Sequence, residues 1–439
     1  MSEIELNGAR VLVVGLGQSG LAAAELLRTR GALVHAADTK QLQEMPEAAA
    51  RLAAMGIPSS LQSDAVFENR DLPPLEEARR RGVPVVGDLE LAAWFLQGKT
   101  IGITGSNGKT TTTALTGHIL DAAGIPAQVG GNIGRAPADM VAQSRPDQWN
   151  VLELSSFQLE TIRRFRAEVA VVLNVTPDHL DLHETLERYA AAKRRLLETQ
   201  RPEDCAILNA DDPVCREFAR LKRSPVWFSS AQRLPGGAWL EQGRILLDGR
   251  LLLEACEVPL RGRHNLENVM AAAAAARIAG APPEAIAAAV RSFPGVEHRL
   301  EFVRRVRGVD YYNDSKATNV DATLKALDAF AGPLWVILGG KDKGSDYLPL
   351  REPLAQKARA ALLVGAAAPK LARDLAGAVS LNDCGTLESA VREASLRAAP
   401  GDTVLLAPAC ASFDQFQNFE HRGRVFKALV AGLEESRCA

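Results

Sequence analysis

The sequence has almost no excess of either charge: 51 Lys and Arg stand against 53 Asp and Glu, a formal net charge of −2 over 439 residues. Nothing in that balance attracts nucleic acid or an anionic membrane, so neither is expected as a partner and any anion must be met by local groups. Long apolar runs are lacking too. The strongest, residues 11–17 and 169–175, are far shorter than the ~20 residues that cross a bilayer. The first residues, Met1-Ser2-Glu3-Ile4-Glu5, carry acids where a secretory leader carries bases, so a cytoplasmic protein is expected. The six cysteines (Cys205, Cys215, Cys256, Cys384, Cys410 and Cys438) form no Cys-x-x-Cys and have no histidine at zinc-site spacing. That argues against a disulfide framework and a structural zinc site, and leaves reduced, buried thiols as the expectation.

What is present is alternation. Short β-rich runs are followed repeatedly by alanine-rich helical stretches, the pattern of parallel sheets covered by helices on both faces, so the fold class is α/β. At about 100–200 residues per domain the length suggests two to four domains, and three are drawn, 1–98, 99–296 and 297–439. A strand at 10–14 enters Gly15-Leu16-Gly17-Gln18-Ser19-Gly20 and a helix at 21–30, and the next strand ends at Asp38. A second strand, 100–104, runs into a glycine-rich turn and a helix at 110–123, followed by strands at 150–154, 167–174 and 205–209. Paired strands around 233–237 and 242–249 are expected to form a small antiparallel addition. Residues 266–280 are so rich in alanine that a closely packed helix is expected, and in the last domain strands close at Asn313-Asp314 and at Gly339-Gly340.

Two glycine motifs carry chemistry. Gly105-Ser106-Asn107-Gly108-Lys109-Thr110-Thr111 lies between a strand and a helix, where backbone N–H groups can wrap phosphates, a lysine can reach the outer phosphates and a hydroxyl can reach Mg²⁺. It is the shorter Gly-x-x-Gly-Lys-Thr form, with Ile103 where the full string has glycine. Gly15-x-Gly17-x-x-Gly20, with Asp38 eighteen residues after Gly20, reads as a dinucleotide fingerprint. A helix N-terminus facing a pyrophosphate serves UDP as well as NAD, so a nicotinamide-dependent dehydrogenase and a non-catalytic nucleotide-binding protein stay open on these two motifs alone.

Further strings follow the phosphate loop in one order: Gly131-Asn132-Ile133-Gly134, Glu153-Leu154-Ser155-Ser156-Phe157-Gln158-Leu159, Asn174-Val175-Thr176-Pro177-Asp178-His179-Leu180-Asp181 and Asn313-Asp314-Ser315-Lys316-Ala317-Thr318-Asn319. In these the chain resembles the Mur ligases, which form amides at the expense of ATP. The Glu153 and Asp314 strings and Pro408-Ala409-Cys410-Ala411-Ser412-Phe413-Asp414-Gln415-Phe416 resemble the D-glutamate-adding member more than its sisters. The likeness covers nearly the whole chain; it departs at 59–74, which lacks the Ser-Pro-Gly string of relatives, and at Phe413, where many relatives have leucine.

The resemblance implies a Rossmann-like first domain, a central P-loop-type ATPase domain with an antiparallel addition, and a Rossmann-like third domain. It implies a monomer that adds D-glutamate to UDP-N-acetylmuramoyl-L-alanine through an acyl phosphate, for peptidoglycan precursor synthesis. A carboxylate is a poor electrophile, and phosphorylation gives it a leaving group. ATP would be held by Gly105, Ser106, Asn107, Gly108, Lys109, Thr110 and Thr111 with Asn265, Asn268, Arg299 and Asp314. Two Mg²⁺ ions would be held by Thr110, Glu153, His179 and Lys193, the last carbamylated, since a carbamate offers oxygen ligands where an ammonium cannot. The UDP-substrate falls to Gln18, Ser19, Asp38, Thr39, Lys40, Asn132 and Ser155. D-Glutamate falls to His179, Thr318, Lys343, Ser412, Phe413 and Phe419. Lys109, His179, Lys193 and Lys316 are the implied catalytic residues. Without the resemblance, Lys193 reads as a helix-surface lysine, Asn265 as a helix N-cap, and Arg299 and Asp314 as a structural salt bridge.

Overall fold

A computed structural model describes residues 5–61, 78, 80–178, 180–221, 224–342 and 344–434. The chain forms two compact units, one made of Met1–Ala255 and Glu267–Val290, the other of Cys256–Leu266 and Arg291–Ala439.

The first unit holds two sheets. The smaller has three parallel strands, β1 (Arg10–Val14), β2 (Leu33–Asp38) and β3 (Ser59–Leu61), in that order. The helix Gln18–Thr29 packs on it through Leu21, Ala22, Ala23, Ala24, Leu26 and Leu27. Gly20 is needed for that approach, because a Cβ there would run into the carbonyl oxygen of Gly15.

The larger sheet has nine strands: β4 (Lys99–Thr104), β5 (Ala127–Gly131), β6 (Trp149–Glu153), β7 (Val169–Val172), β8 (Cys205–Asn209), β9 (Val226–Ser229), β10 (Ala238–Glu241), β11 (Arg244–Leu247) and β12 (Arg250–Glu254). Their order is β12-β11-β10-β9-β8-β7-β4-β6-β5. Pairing is parallel from β5 to β10 and antiparallel across β10, β11 and β12. The antiparallel addition is therefore present, but residues 233–237 are not one of its strands; Pro235 and Gly236-Gly237 form the approach to β10, with Gly237 at a φ of +82°. The inner strands read as unbroken apolar runs because both faces are covered, as at Val169–Val172, where every residue is buried. The alanine-rich helix runs Arg263–Ile278, and Val269 to Ala276 are eight consecutive buried residues, six of them alanine. A helix buried on all sides must be narrow, and alanine keeps it so.

The second unit is a six-stranded sheet of β13 (Glu301–Val306), β14 (Val309–Asn313), β15 (Leu334–Gly339), β16 (Ala358–Val364), β17 (Ser380–Gly385) and β18 (Thr403–Leu406), in the order β13-β14-β18-β15-β16-β17. Only β13 pairs antiparallel. One face packs on the helices Val320–Asp328, Arg351–Lys357 and Ala368–Asp374, the other on Leu387–Arg397 and Phe419–Ala431. Among the described residues no helix is long and apolar enough to cross a membrane. The thiols are less uniform than expected: Cys215 and Cys410 are buried, Cys205 and Cys384 are half-buried, and Cys256 is exposed. Cys256 lies in the short turn that follows the edge strand β12.

Candidate functional site: a phosphate loop with two converging amines

In the first unit, β4 delivers the chain to a turn through Gly105 and Gly108, with φ of +157° and +87°, and then into the helix Lys109–Ala122. Gly108 is fixed by contact as well as by conformation, because a Cβ there would collide with the side-chain oxygen of Asn268. Asn268 is buried and accepts a hydrogen bond from Thr112 Oγ1 at 3.4 Å, so this predicted nucleotide residue does stand against the loop. Asn174, at the end of the neighbouring strand's run, braces the loop from the other side. Its Oδ1 accepts from Asn107 N at 2.8 Å, its Nδ2 donates to Asn107 O at 3.1 Å, and its carbonyl accepts from Ser106 N at 2.9 Å. Ser106 Oγ and the backbone of Thr176 are bonded reciprocally, at 2.8 and 2.9 Å.

Two amines meet at this turn. Lys109 Nζ donates to Gly105 O at 2.9 Å and to Ser106 O at 3.0 Å, while Lys193 Nζ reaches the same Gly105 oxygen at 2.9 Å. Lys193 is 1% exposed, which corrects its reading as a surface lysine. It shares one stripe of the helix Leu186–Glu198 with Tyr189, Ala192, Leu196 and Leu197, and the Tyr189 ring lies 4.3 Å from its nitrogen. Burial first, and the Lys109 charge second, push the Lys193 amine well below the ordinary lysine range. A neutral, desolvated amine is the form that adds CO₂ to become a carbamate, so the residue fits the modification. Glu153, at the end of β6, also fits a cation site. Its Oε1 accepts from Asn132 Nδ2 at 3.2 Å, and its buried Oε2 has no hydrogen-bond partner. Such an acidic oxygen is costly to bury without a cation or donor. Thr110 is at the N-terminus of the loop's helix.

Ser155 caps the helix Ser156–Glu160 in a reciprocal box with Gln158. Behind it, Ser156 Oγ lies 2.8 Å from His183 Nε2, His183 Nδ1 lies 3.2 Å from Glu160, and the His183 ring stacks on Phe157 at 5.3 Å. Sequence reasoning gave no role to Asn174, His183 or Tyr189, although Asn174 lies in a string it singled out, His183 just after one, and Tyr189 one helical turn before Lys193.

Of the expected UDP residues, Gln18, Ser19, Asp38, Thr39 and Lys40 lie around the glycine turn of the small sheet, whereas Asn132 and Ser155 follow strands β5 and β6 of the larger one. Gln18 Nε2 donates to Gly134 O at 2.8 Å, joining that turn to the segment of Asn132. Ser19 stands in the first turn of the helix Gln18–Thr29. Asp38 accepts Leu16 N at 2.6 Å, Lys40 N at 3.0 Å and Thr39 Oγ1 at 3.2 Å. Burial raises its pKa, but these donors outweigh burial and hold the carboxyl below its usual range. Asp38 and Lys40 line a cavity of about 290 Å³ with Leu16, Gln41, Gln43, Ser59 and Ser60.

In the second unit, Asn265 is the third residue of its helix and not an N-cap, and its Nδ2 donates back to Arg261 O at 2.7 Å. The helix starts earlier because Gly262, at a φ of +91°, makes the turn before it. Arg299 Nη1 lies 3.7 Å from Asp314 Oδ1, and burial raises the pKa of Asp314 against the pull of that guanidinium. Lys316 Nζ lies 5.7 Å from the centre of the Phe419 ring, the backbone N–H of Lys316 donates to His298 O at 3.2 Å, and Thr318 N donates to Lys316 O at 2.8 Å. Ser412 is buried, whereas Phe413 beside it is exposed. His179 and Lys343 lie outside the described residues.

A strand, a glycine turn closed by a lysine, and a buried carboxylate beside it define a nucleotide-dependent transferase or ligase centre. The comparisons narrow the class. The Mur ligase middle domain family matches residues 103–276, and the Mur ligase glutamate ligase domain family matches residues 298–410. The chain belongs to the Mur ligase family. A curated protein of Solibacter usitatus named UDP-N-acetylmuramoylalanine--D-glutamate ligase is 62% identical over 443 residues, covering 98% of this chain and 99% of its own. A protein of Acidobacterium capsulatum with the same name is 50% identical, covering 97% of each chain. Among solved structures, the UDP-N-acetylmuramate-alanine ligase of Thermotoga maritima has a TM-score of 0.63 at 19% identity, covering 96% of this chain and 99% of that one. The MurF ligase of Thermotoga maritima in complex with ADP has a TM-score of 0.62 at 17% identity, covering 98% and 99%. These last two likenesses bear on the fold alone.

Proposed function

We propose that this chain is an ATP-dependent ligase that joins D-glutamate to UDP-N-acetylmuramoyl-L-alanine, a step of peptidoglycan precursor synthesis. The observation that carries the reading is the turn at Gly105, where two amines meet, with an unpartnered carboxylate oxygen of Glu153 at the end of the adjoining strand, in a chain 62% identical to a ligase of that name. ATP phosphorylates the L-alanyl carboxylate, the D-glutamate amine attacks the acyl phosphate, and the tetrahedral intermediate collapses to amide and inorganic phosphate. Lys109 neutralises charge on the transferring phosphoryl group, and the backbone of the turn positions it. Thr110, Glu153 and Lys193 as its carbamate are the proposed ligands of Mg²⁺, with His179 at a second ion or at the incoming amine. Bound there, Mg²⁺ would neutralise phosphate oxygens.

Gln18, Ser19, Asp38, Thr39, Lys40, Asn132 and Ser155 are assigned to the UDP-substrate. The dehydrogenase alternative would account for Gly15–Gly20 but leaves the phosphate loop and the Glu153 string without a role. Asn265, Asn268, Arg299 and Asp314 are assigned to the nucleotide. Lys316, Thr318, Lys343, Ser412, Phe413 and Phe419 are assigned to the amino acid, whose two carboxylates call for cationic and hydroxyl partners. The reading includes three domains at 1–98, 99–296 and 297–439 and a monomeric enzyme of the cytoplasm.

The test is phosphate release from ATP with UDP-N-acetylmuramoyl-L-alanine, comparing D-glutamate with L-alanine, L-lysine and meso-diaminopimelate. Release with D-glutamate alone is expected. Release with another of the four instead would overturn the D-glutamate assignment.

A further inference from the structure

β15 and β18 are parallel neighbours, and the helices that follow them, Arg351–Lys357 and Phe419–Ala431, pack on opposite faces of the sheet. The carboxyl ends of two such strands open a crevice between them, the usual place for a ligand in a sheet of this kind. The two loops that leave these ends are tied by a chain of side chains. After Gly340, whose φ of +135° lets it pass against Ala411 O, Lys341 N donates to Ala411 O at 2.8 Å. Asp342 follows. Its Oδ1 accepts from Tyr347 O–H at 2.8 Å and from Ser345 N at 3.2 Å, and its Oδ2 accepts from Lys370 Nζ at 3.1 Å. Lys370 also donates to Ser345 O at 2.7 Å. The Tyr347 oxygen then lies 3.0 Å from Cys410 Sγ, on the other loop, two residues before the buried Ser412.

Tyr347 is 0% exposed, so its hydroxyl is costly unless bonded, and a phenylalanine would fill the same space without that demand. Asp342 and Lys370 are each 29% exposed, and an ion pair that open to water contributes little to stability. The hydroxyl and the carboxylate are therefore poorly explained by folding alone, while together they fix one crevice loop against the other.

We propose that Asp342 and Tyr347 are positioning residues for the amino-acid substrate, holding the Cys410–Ser412 loop in register through the Asp342–Tyr347–Cys410 chain. This rests on the reading in which Ser412 meets D-glutamate. Neither residue touches substrate; each acts through the loop, and a misplaced contact weakens binding of the group it was meant to hold.

The experiment is steady-state kinetics of the full chain with Asp342→Asn, Tyr347→Phe and both together. Each single variant is expected to raise KM for D-glutamate on the order of tenfold, leaving kcat and the KM values for ATP and the UDP-substrate within about twofold. The double variant should be no worse than the worse single one, since both cut one chain. An unchanged KM for D-glutamate in both single variants overturns the proposal, as does a parallel decline of every constant. No D-glutamate-dependent release by the unaltered protein would instead overturn the functional reading on which it rests.

Discussion

A single imidazole shows how strongly burial sets chemistry here. Burial, followed by the charges of Arg299 and Lys325, pushes the pKa of His264 down to about 4 from an ordinary value of 6.5. The native state therefore leaves the ring neutral over a range in which the unfolded chain protonates it. Between those two values the unfolded state binds more protons, so stability rises with pH and is lost as pH falls from about 6.5 to about 4. At roughly 1.4 kcal/mol per pKa unit the loss amounts to no more than about 3.5 kcal/mol. Urea unfolding of the second unit, followed across that range, should show it, and His264→Gln should flatten the slope. An equal slope in the variant would assign the effect to other groups. Lys193 is the same argument on another side chain: a lysine on an apolar stripe has its amine pushed well below the ordinary lysine range, first by burial and then by the Lys109 charge.

Between elements, one carboxylate replaces what would otherwise be a stretch of pairing. Glu90, buried in the helix Asp88–Ala93, accepts from Arg163 N at 2.7 Å, Arg164 N at 2.8 Å and Phe165 N at 3.0 Å, and from Trp94 Nε1 at 3.1 Å. Glu90→Ala strands three backbone donors, a loss of about 3 kcal/mol, and the first unit's thermal midpoint should fall on the order of 5 °C. A shift under about 1 °C would mean water takes the acceptor's place. Nothing in the sequence announced Glu90, because its three backbone partners lie more than 70 residues away. The strand-turn-helix pieces were legible, because glycine turns and apolar runs are local signals. The phosphate loop was readable for the same reason. Lys193 was readable in principle from its i, i+4 relation to Tyr189 and Leu197, but a charged residue on such a stripe reads as solvated until a neighbour is seen to bury it. Residues 233–237 were misplaced because the alternation of the surrounding segment was extended into them, whereas Pro235 and Gly236-Gly237 decide the backbone there.

At the scale of the whole molecule the chain passes between its two compact units three times, after Ala255, Leu266 and Val290. The short segment Cys256–Leu266 belongs to the second unit, where the Arg261 guanidinium lies 5.0 Å from the Tyr312 ring and 5.4 Å from that of Phe330. Calorimetry of the full chain should give a calorimetric enthalpy greater than the van't Hoff value, the mark of more than one cooperative unit. A ratio of one would mean that the two units melt as one. The alanine-rich helix Arg263–Ile278 takes residues from both units, and its eight buried positions carry a different kind of consequence. For the six alanines every larger side chain costs about 1–3 kcal/mol in overpacking, and glycine about 1 kcal/mol in helix propensity. In the vocabulary of heredity, these positions tolerate almost no residue but their own, whereas exposed loops can drift. A lineage of such proteins would keep this stretch as a near-fixed word, legible long after motifs on the surface had been rewritten.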